Sequence, residues 1–171
     1  MSDPSTSATA PAAAAASARS TQHGTFSMER TFGHPAARVF RAFAEQAAKA
    51  AWFVGPDGWQ SSGHTLDFRV GGREHLATDL PGGGSVTFDA TYLDIVTDER
   101  IIYAYEMTID GRRISASLVS LELRATPAGT HLALTEHGIF LDGLDRVEER
   151  ERGTRELLDK LQRWVDEGDE A

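Results

Sequence analysis

The chain has no cysteine. That excludes disulfides, thiolate metal ligands and a cysteine nucleophile, and it is compatible with a reducing compartment. A polybasic run is missing too: 17 Lys and Arg stand against 26 Asp and Glu, a formal net charge of −9. Neutralising phosphates needs a stripe of cations, so this balance argues against nucleic acid as a partner. It argues equally against an anionic membrane surface. No stretch is long and apolar enough to span a bilayer. The alanine run Ala12 to Ala16 lacks both the basic lead and the Leu-type core of a secretory signal. The expectation is a soluble, cytoplasmic protein.

The usual signatures of a catalytic site are also lacking. Ser115, Ser117 and Ser120 fall on a strand without a Gly-x-Ser-x-Gly elbow. Gly82, Gly83 and Gly84 follow a proline and precede a strand, so they form a hairpin loop and not a phosphate cradle. Neither His75 nor His137 has a second ligand at metal-binding spacing in its own segment, so no metal and no cofactor is expected. No internal repeat is visible.

What is present is enough for one domain: 171 residues, 40% of them hydrophobic and 25% charged. Residues 1–22 are Ala, Ser, Thr and Pro with almost no large apolar side chain, and are read as a disordered tail. The domain is expected over 23–167, with an acidic end at 168–171. Residues 25–32 alternate as a first strand. His34-Pro35 marks a helix start, and Val39, Phe40, Phe43 and Ala47 give that helix a buried face as it runs on to Trp52-Phe53. Gly55-Pro56-Asp57-Gly58 breaks it.

An antiparallel meander follows. Leu66, Phe68 and Val70 alternate before a Gly71-Gly72 hairpin signal. Val86, Phe88, Ala90 and Tyr92 form the next clear strand, then Ile101, Tyr103, Tyr105, Met107 and Ile109. A three-residue loop, Asp110 to Arg112 with a bulge at the glycine, sets Tyr103 opposite Val119 and Ile101 opposite Leu121. Leu132 and Leu134 build the last strand before Gly138. The chain closes on a long amphipathic helix, Leu144 to Val165, with Leu157, Leu158, Leu161, Trp164 and Val165 on one stripe. Asp145 and Glu148 have the spacing of a capping box. The charged run Glu148 to Arg152 reads as a solvated face.

Several side chains carry potential chemistry. On unbroken alternation Glu136 shares the inward face of Leu132 and Leu134. There it acts as an acid or base, or else pairs with an arginine at the strand end. Tyr103, Tyr105 and Met107 point inward together, as cavity lining or as core, and two inward hydroxyls need partners. His75 and His137 could bond a ligand, or be ordinary strand residues.

These pieces resemble a known family. They are the Phe-rich helix ending in Trp52-Phe53, the segment Asp67-Phe68-Arg69-Val70-Gly71-Gly72, Tyr92 to Arg100, and Leu134-Thr135-Glu136-His137-Gly138. Phe140-Leu141-Asp142-Gly143 and Arg152-Gly153-Thr154 to Leu161 complete the set. Together they look like the SRPBCC (START/Bet v1-like) superfamily, in a branch similar to the C-terminal domain of the activator of Hsp90 ATPase. The resemblance implies an α+β helix-grip fold, a curved antiparallel sheet wrapped on the long C-terminal helix. It also implies an internal cavity for a small apolar molecule such as a lipid, sterol or polyketide-like compound. The candidate lining is Trp52, Trp59, Phe68, His75, Phe88, Tyr92, Tyr103, Tyr105, Met107, Glu136, Phe140, Leu157 and Leu161. Two other roles follow from the resemblance: a co-chaperone domain acting on an Hsp90-type partner, and a cyclase, dehydratase or hydrolase using Glu136. A homodimer through a sheet edge or helix face is a further expectation. Many relatives carry a Gly-Trp pair early in the last helix, where this chain has Gly153-Thr154.

Overall fold

Alternation of buried with less buried side chains, the mark of a sheet with one face covered, runs through much of the sheet of the computed structural model, which describes residues 19–56 and 58–168. The order is β1 (Thr21–Phe32), α1 (Ala36–Ala44), α2 (Gln46–Trp52), β2 (Gln60–Leu66), β3 (Arg73–Asp79), β4 (Ser85–Val96), β5 (Arg100–Ile109), β6 (Arg112–Thr126), β7 (Gly129–Leu141) and α3 (Val147–Glu167). The seven strands form one curved antiparallel sheet in the order β1-β7-β6-β5-β4-β3-β2. The three helices cover one face of it, the helix-grip arrangement. Residues 1–18 and 169–171, where most of the expected tail and acidic end fall, lie outside the described residues.

The core lies between sheet and helices. Phe32, Val39, Leu132, Leu161 and Val165 are fully buried there. Burying each such aliphatic or aromatic side chain contributes about 1.5–3 kcal/mol. Where α3 begins, the sheet has no side chains to hold it off. Gly24 of β1 pairs with Gly138 of β7. A Cβ on Gly24 would stand 2.6 Å from the Val147 side chain, and one on Gly138 would stand 2.8 Å from the Phe140 ring. Gly24 is the notch into which Val147, the first residue of α3, settles, and Gly138 leaves room for the Phe140 ring.

Several boundaries differ from the sequence expectation. β1 starts at Thr21, and β7 runs through Gly138 to Leu141. The first helix breaks at Glu45, whose extended backbone (φ −98°, ψ 128°) resets the helical phase. Ala47 is therefore exposed, while Ala48, Lys49 and Trp52 turn inward. Phe68 and Val70 sit in the β2–β3 loop and not in a strand, and Val70 is 57% exposed. Register Tyr103↔Val119 and Ile101↔Leu121 is as expected, but the loop is shorter. Asp110 (φ 50°) and Gly111 (φ 74°) alone make the turn, because both tolerate the left-handed backbone a two-residue hairpin demands. The extra residue lies inside β6, where the pairing steps from Arg113 to Ser115 and leaves Ile114 as a bulge.

α3 starts at Val147, three residues later than expected, and no side chain caps it. The expected capping box does not form, since Asp145 bonds the Arg146 amide and the Arg150 guanidinium instead.

Because Leu161 is fully buried between α3 and the sheet, Leu161→Ala should lower stability by about 2–5 kcal/mol. Urea unfolding followed by circular dichroism measures it; a loss below about 1 kcal/mol would show that α3 is not gripped.

Candidate functional site

Packing between α3 and the sheet is incomplete. Near the N-terminal half of the helix a cavity of about 390 Å³ remains, a size within the range of small-molecule sites. Its floor is the inner face of β3, β4 and β5, from which Leu76, Phe88, Tyr103, Tyr105 and Met107 project. Phe43, Trp52 and Phe53 close one side, and Leu144, Gly153, Thr154 and Leu157 form the roof. Phe88 packs against Tyr105 at 4.8 Å and Tyr103 at 6.4 Å between ring centroids, so three aromatic rings make one continuous wall. At the mouth, the 54–56 segment and Trp59 also face the void. Lys160 of α3 holds this segment by donating to the Val54 and Gly55 carbonyls, at 3.2 and 2.7 Å.

Eight of the thirteen side chains expected from the sequence line this cavity: Trp52, Trp59, Phe88, Tyr103, Tyr105, Met107, Glu136 and Leu157. Five do not. Phe68 packs on Phe40 and Tyr92, and Tyr92 turns toward a separate polar cluster. Leu161 is core, one turn beyond the void. Phe140 lies under the start of α3, with Arg150 stacked 5.5 Å from its ring centre. His75 is on the opposite face of the sheet, because β3 buries Glu74, Leu76 and Thr78, and it pairs there with Asp89 at 2.7 Å. His137 is likewise exposed, bonded to Thr25.

One end of the cavity is polar. Glu136 is 2% exposed, and its Oε1 accepts from the Tyr105 hydroxyl at 2.7 Å. Arg150 reaches in from α3: Nη1 donates to Tyr105 at 2.5 Å and to Glu136 at 3.3 Å. Nη2 donates to Ser115 at 2.7 Å and to Asp145. Burial disfavours the guanidinium cation, but Tyr105, Glu136 and Asp145 outweigh it and keep Arg150 above its ordinary pKa. Burial likewise pushes the Tyr105 phenol up; Arg150 opposes that, and Glu136 adds to it. The Tyr103 hydroxyl also lines the cavity, without a hydrogen-bond partner among the described residues. Of the two functions open for Glu136, pairing with an arginine is the geometry observed.

A second buried cluster lies behind the aromatic wall. Lys49 (3% exposed) donates to Glu74 Oε2 at 2.5 Å and to the Tyr92 hydroxyl at 3.1 Å. Tyr92 donates to the same Oε2 at 2.7 Å, and His64 meets Oε1 at 2.9 Å. The ammonium also sits 4.8 Å from the Phe53 ring centre. Burial lowers the Lys49 pKa, partly offset by Glu74. For Glu74, burial acts to raise the pKa, but the Lys49 charge and the bonds from His64, Lys49 and Tyr92 bring it below the usual value.

Sequence reasoning missed Arg150, Lys49, Glu74 and His64. Arg150 stands in the charged run taken as solvated, yet it lies on the stripe of Leu157 and Leu161 at helical spacing. Glu74 has the parity of Leu76 and Thr78, which was a readable signal. Lys49 gave none, since the break at Glu45 changes the phase of α2.

Residues 33–166 match the family model described as activator of Hsp90 ATPase homolog 1-like protein. A solved structure of a protein from Rhizobium leguminosarum is 42% identical and superimposes with a TM-score of 0.84, covering 88% of this chain and 99% of its own. The Mll3558 protein from Rhizobium loti is 44% identical, with a TM-score of 0.77 over 84% of this chain and 97% of its own. An AHSA1-like protein from Aeromonas hydrophila, 19% identical with a TM-score of 0.64 over 84% and 93%, shares the fold. No curated protein matches the chain.

Removing one partner of a buried ion pair leaves the other charge uncompensated, at about 3–5 kcal/mol. Glu74→Gln should lose that much stability near neutral pH. The folded state holds Glu74 below the ordinary carboxylate pKa of about 4.3, so its contribution is full above that value and is lost as pH falls through the folded one. The gap between wild type and variant in urea titrations should therefore narrow as pH is lowered below the ordinary carboxylate value of about 4.3. A constant gap would place the stabilisation elsewhere.

Proposed function

The chain belongs to the activator of Hsp90 ATPase homolog 1-like family, and from that premise we propose that it binds a small hydrophobic molecule between its sheet and its last helix. One observation carries this reading: an apolar void of about 390 Å³ that ends in a small set of fixed polar groups. Interiors normally pack with few voids larger than a water molecule, so an aromatic-walled space of this size is a provision and not a packing accident. The apolar wall supplies affinity by burial. The polar end, with the unpartnered Tyr103 hydroxyl beside Tyr105, supplies orientation.

In this reading Glu136 is an anchor and not a proton donor. Its Oε1 already accepts from both Tyr105 and Arg150, and the same arginine ties α3 to β5, β6 and β7. The ligand would enter past the 54–56 segment and Trp59, where Lys160 clips the mouth.

The uncharged dye N-phenyl-1-naphthylamine should bind with increased fluorescence, and denaturing extraction of freshly purified protein followed by mass spectrometry should release a small apolar compound. Thr154 faces the void from the roof. Thr154→Trp should fill it and cut dye affinity at least about tenfold, a loss near 1.4 kcal/mol, while unfolding stays cooperative. Dye binding unchanged by that substitution would remove the cavity as the binding site.

A further inference from the structure

We infer that the cavity selects uncharged or cationic hydrophobic compounds and rejects carboxylate amphiphiles such as fatty-acid anions. This deepens the ligand-binding reading and rests on it. The charged lining consists of Glu136, Asp145, Glu149 and Glu156 against Arg150 and Lys160, four carboxylates to two cations, a net of −2.

Neither cation is free of protein partners. Both NH2 groups of Arg150 are taken by Tyr105, Glu136, Ser115 and Asp145. Lys160 gives two of its three N–H donors to the Val54 and Gly55 carbonyls at the mouth. Breaking either set for a ligand carboxylate would strand Glu136 and Asp145 without their counterion, or free the mouth segment. The positive end of the α3 dipole lies near, but Asp145, Glu148 and Glu149 already complement it.

Of the three aromatic rings of the wall, Tyr103 carries the hydroxyl left without a partner among the described residues; it can donate or accept a bond but carries no charge. Burial holds the Tyr103 phenol well above its ordinary pKa, and the Glu136 and Glu74 carboxylates raise it further against the opposing Arg150. A ligand carboxylate placed beside it meets the same low-dielectric, negatively biased surroundings. A hydroxyl or carbonyl meets only a hydrogen-bond partner. An ammonium meets aromatic faces and nearby carboxylates, both attractive to it.

Decanol, decylamine and decanoic acid share one chain and differ in head-group charge at neutral pH. Displacement of N-phenyl-1-naphthylamine from the full chain compares them. Decanol and decylamine should displace the dye at concentrations at least about tenfold lower than decanoic acid. The double substitution Glu149→Gln with Glu156→Gln, the two exposed carboxylates of the lining, should narrow that gap about threefold, which selection by size alone would not do. Decanoic acid competing as well as decanol overturns the charge inference and leaves the cavity reading standing, as does a bound dye that none of the three displaces. If the dye itself fails to bind, both fall.

Discussion

Arg150 leaves the first turn of α3 and enters the space between helix and sheet, where it meets Tyr105, Glu136, Ser115 and Asp145. Those partners come from β5, β7, β6 and the loop before the helix, so one guanidinium joins four segments distant in sequence. Two turns and more further along, Leu158, Leu161 and Val165 press the same helix onto the core. Between the polar strut and the apolar clamp the helix bridges the curved sheet without filling the space under it. The cavity is the consequence of holding a straight rod at two places on a bent surface.

Buried charge is costly unless paired, and pairs gain little net stability over well-packed apolar groups. Two such clusters in one small domain therefore point to position more than to strength. The Arg150 cluster fixes the height of α3 above the strands. The Lys49 cluster ties α2 to β2, β3 and β4 through Glu74, His64 and Tyr92, and so backs the aromatic wall that faces the void. Gly24 acts in the same sense by subtraction, letting Val147 sit where a Cβ would collide, and Gly138 does so for the Phe140 ring. An apolar wall with preset polar ends needs little rearrangement to receive a ligand, which keeps the ordering cost of binding low.

Net charge and local charge act together here. A chain carrying −9 overall also gives its cavity lining an excess of carboxylates. Long-range repulsion is screened over about 8–10 Å at ordinary ionic strength. The excess at the lining rests on Glu149 and Glu156, which are exposed and partly screened, whereas the total charge governs the approach.

Period-two alternation made β4, β5 and β6 legible from residues alone, and the apolar stripe of Leu157, Leu158, Leu161, Trp164 and Val165 announced α3. Parity also placed Glu136, Tyr103 and Tyr105 on the inner face, since a strand leaves each side chain only two choices. What parity cannot give is a phase reset or an interruption: the break at Glu45, the bulge at Ile114 and the exposed Val70 all arise where backbone geometry leaves the regular period. Nor can it pair residues across long distances. Arg150 looks like one more charge on a solvated helix until the fold brings Glu136 and Asp145 to it. His75 looked like a lining residue until its neighbours claimed the other face. The amino-acid sequence by itself determined the elements, their order and the sign of the surface, because those follow from local spacing and composition. Only the tertiary structure decided which charges are buried, which are paired and where space is left, because each of those is a property of groups that meet across the sheet.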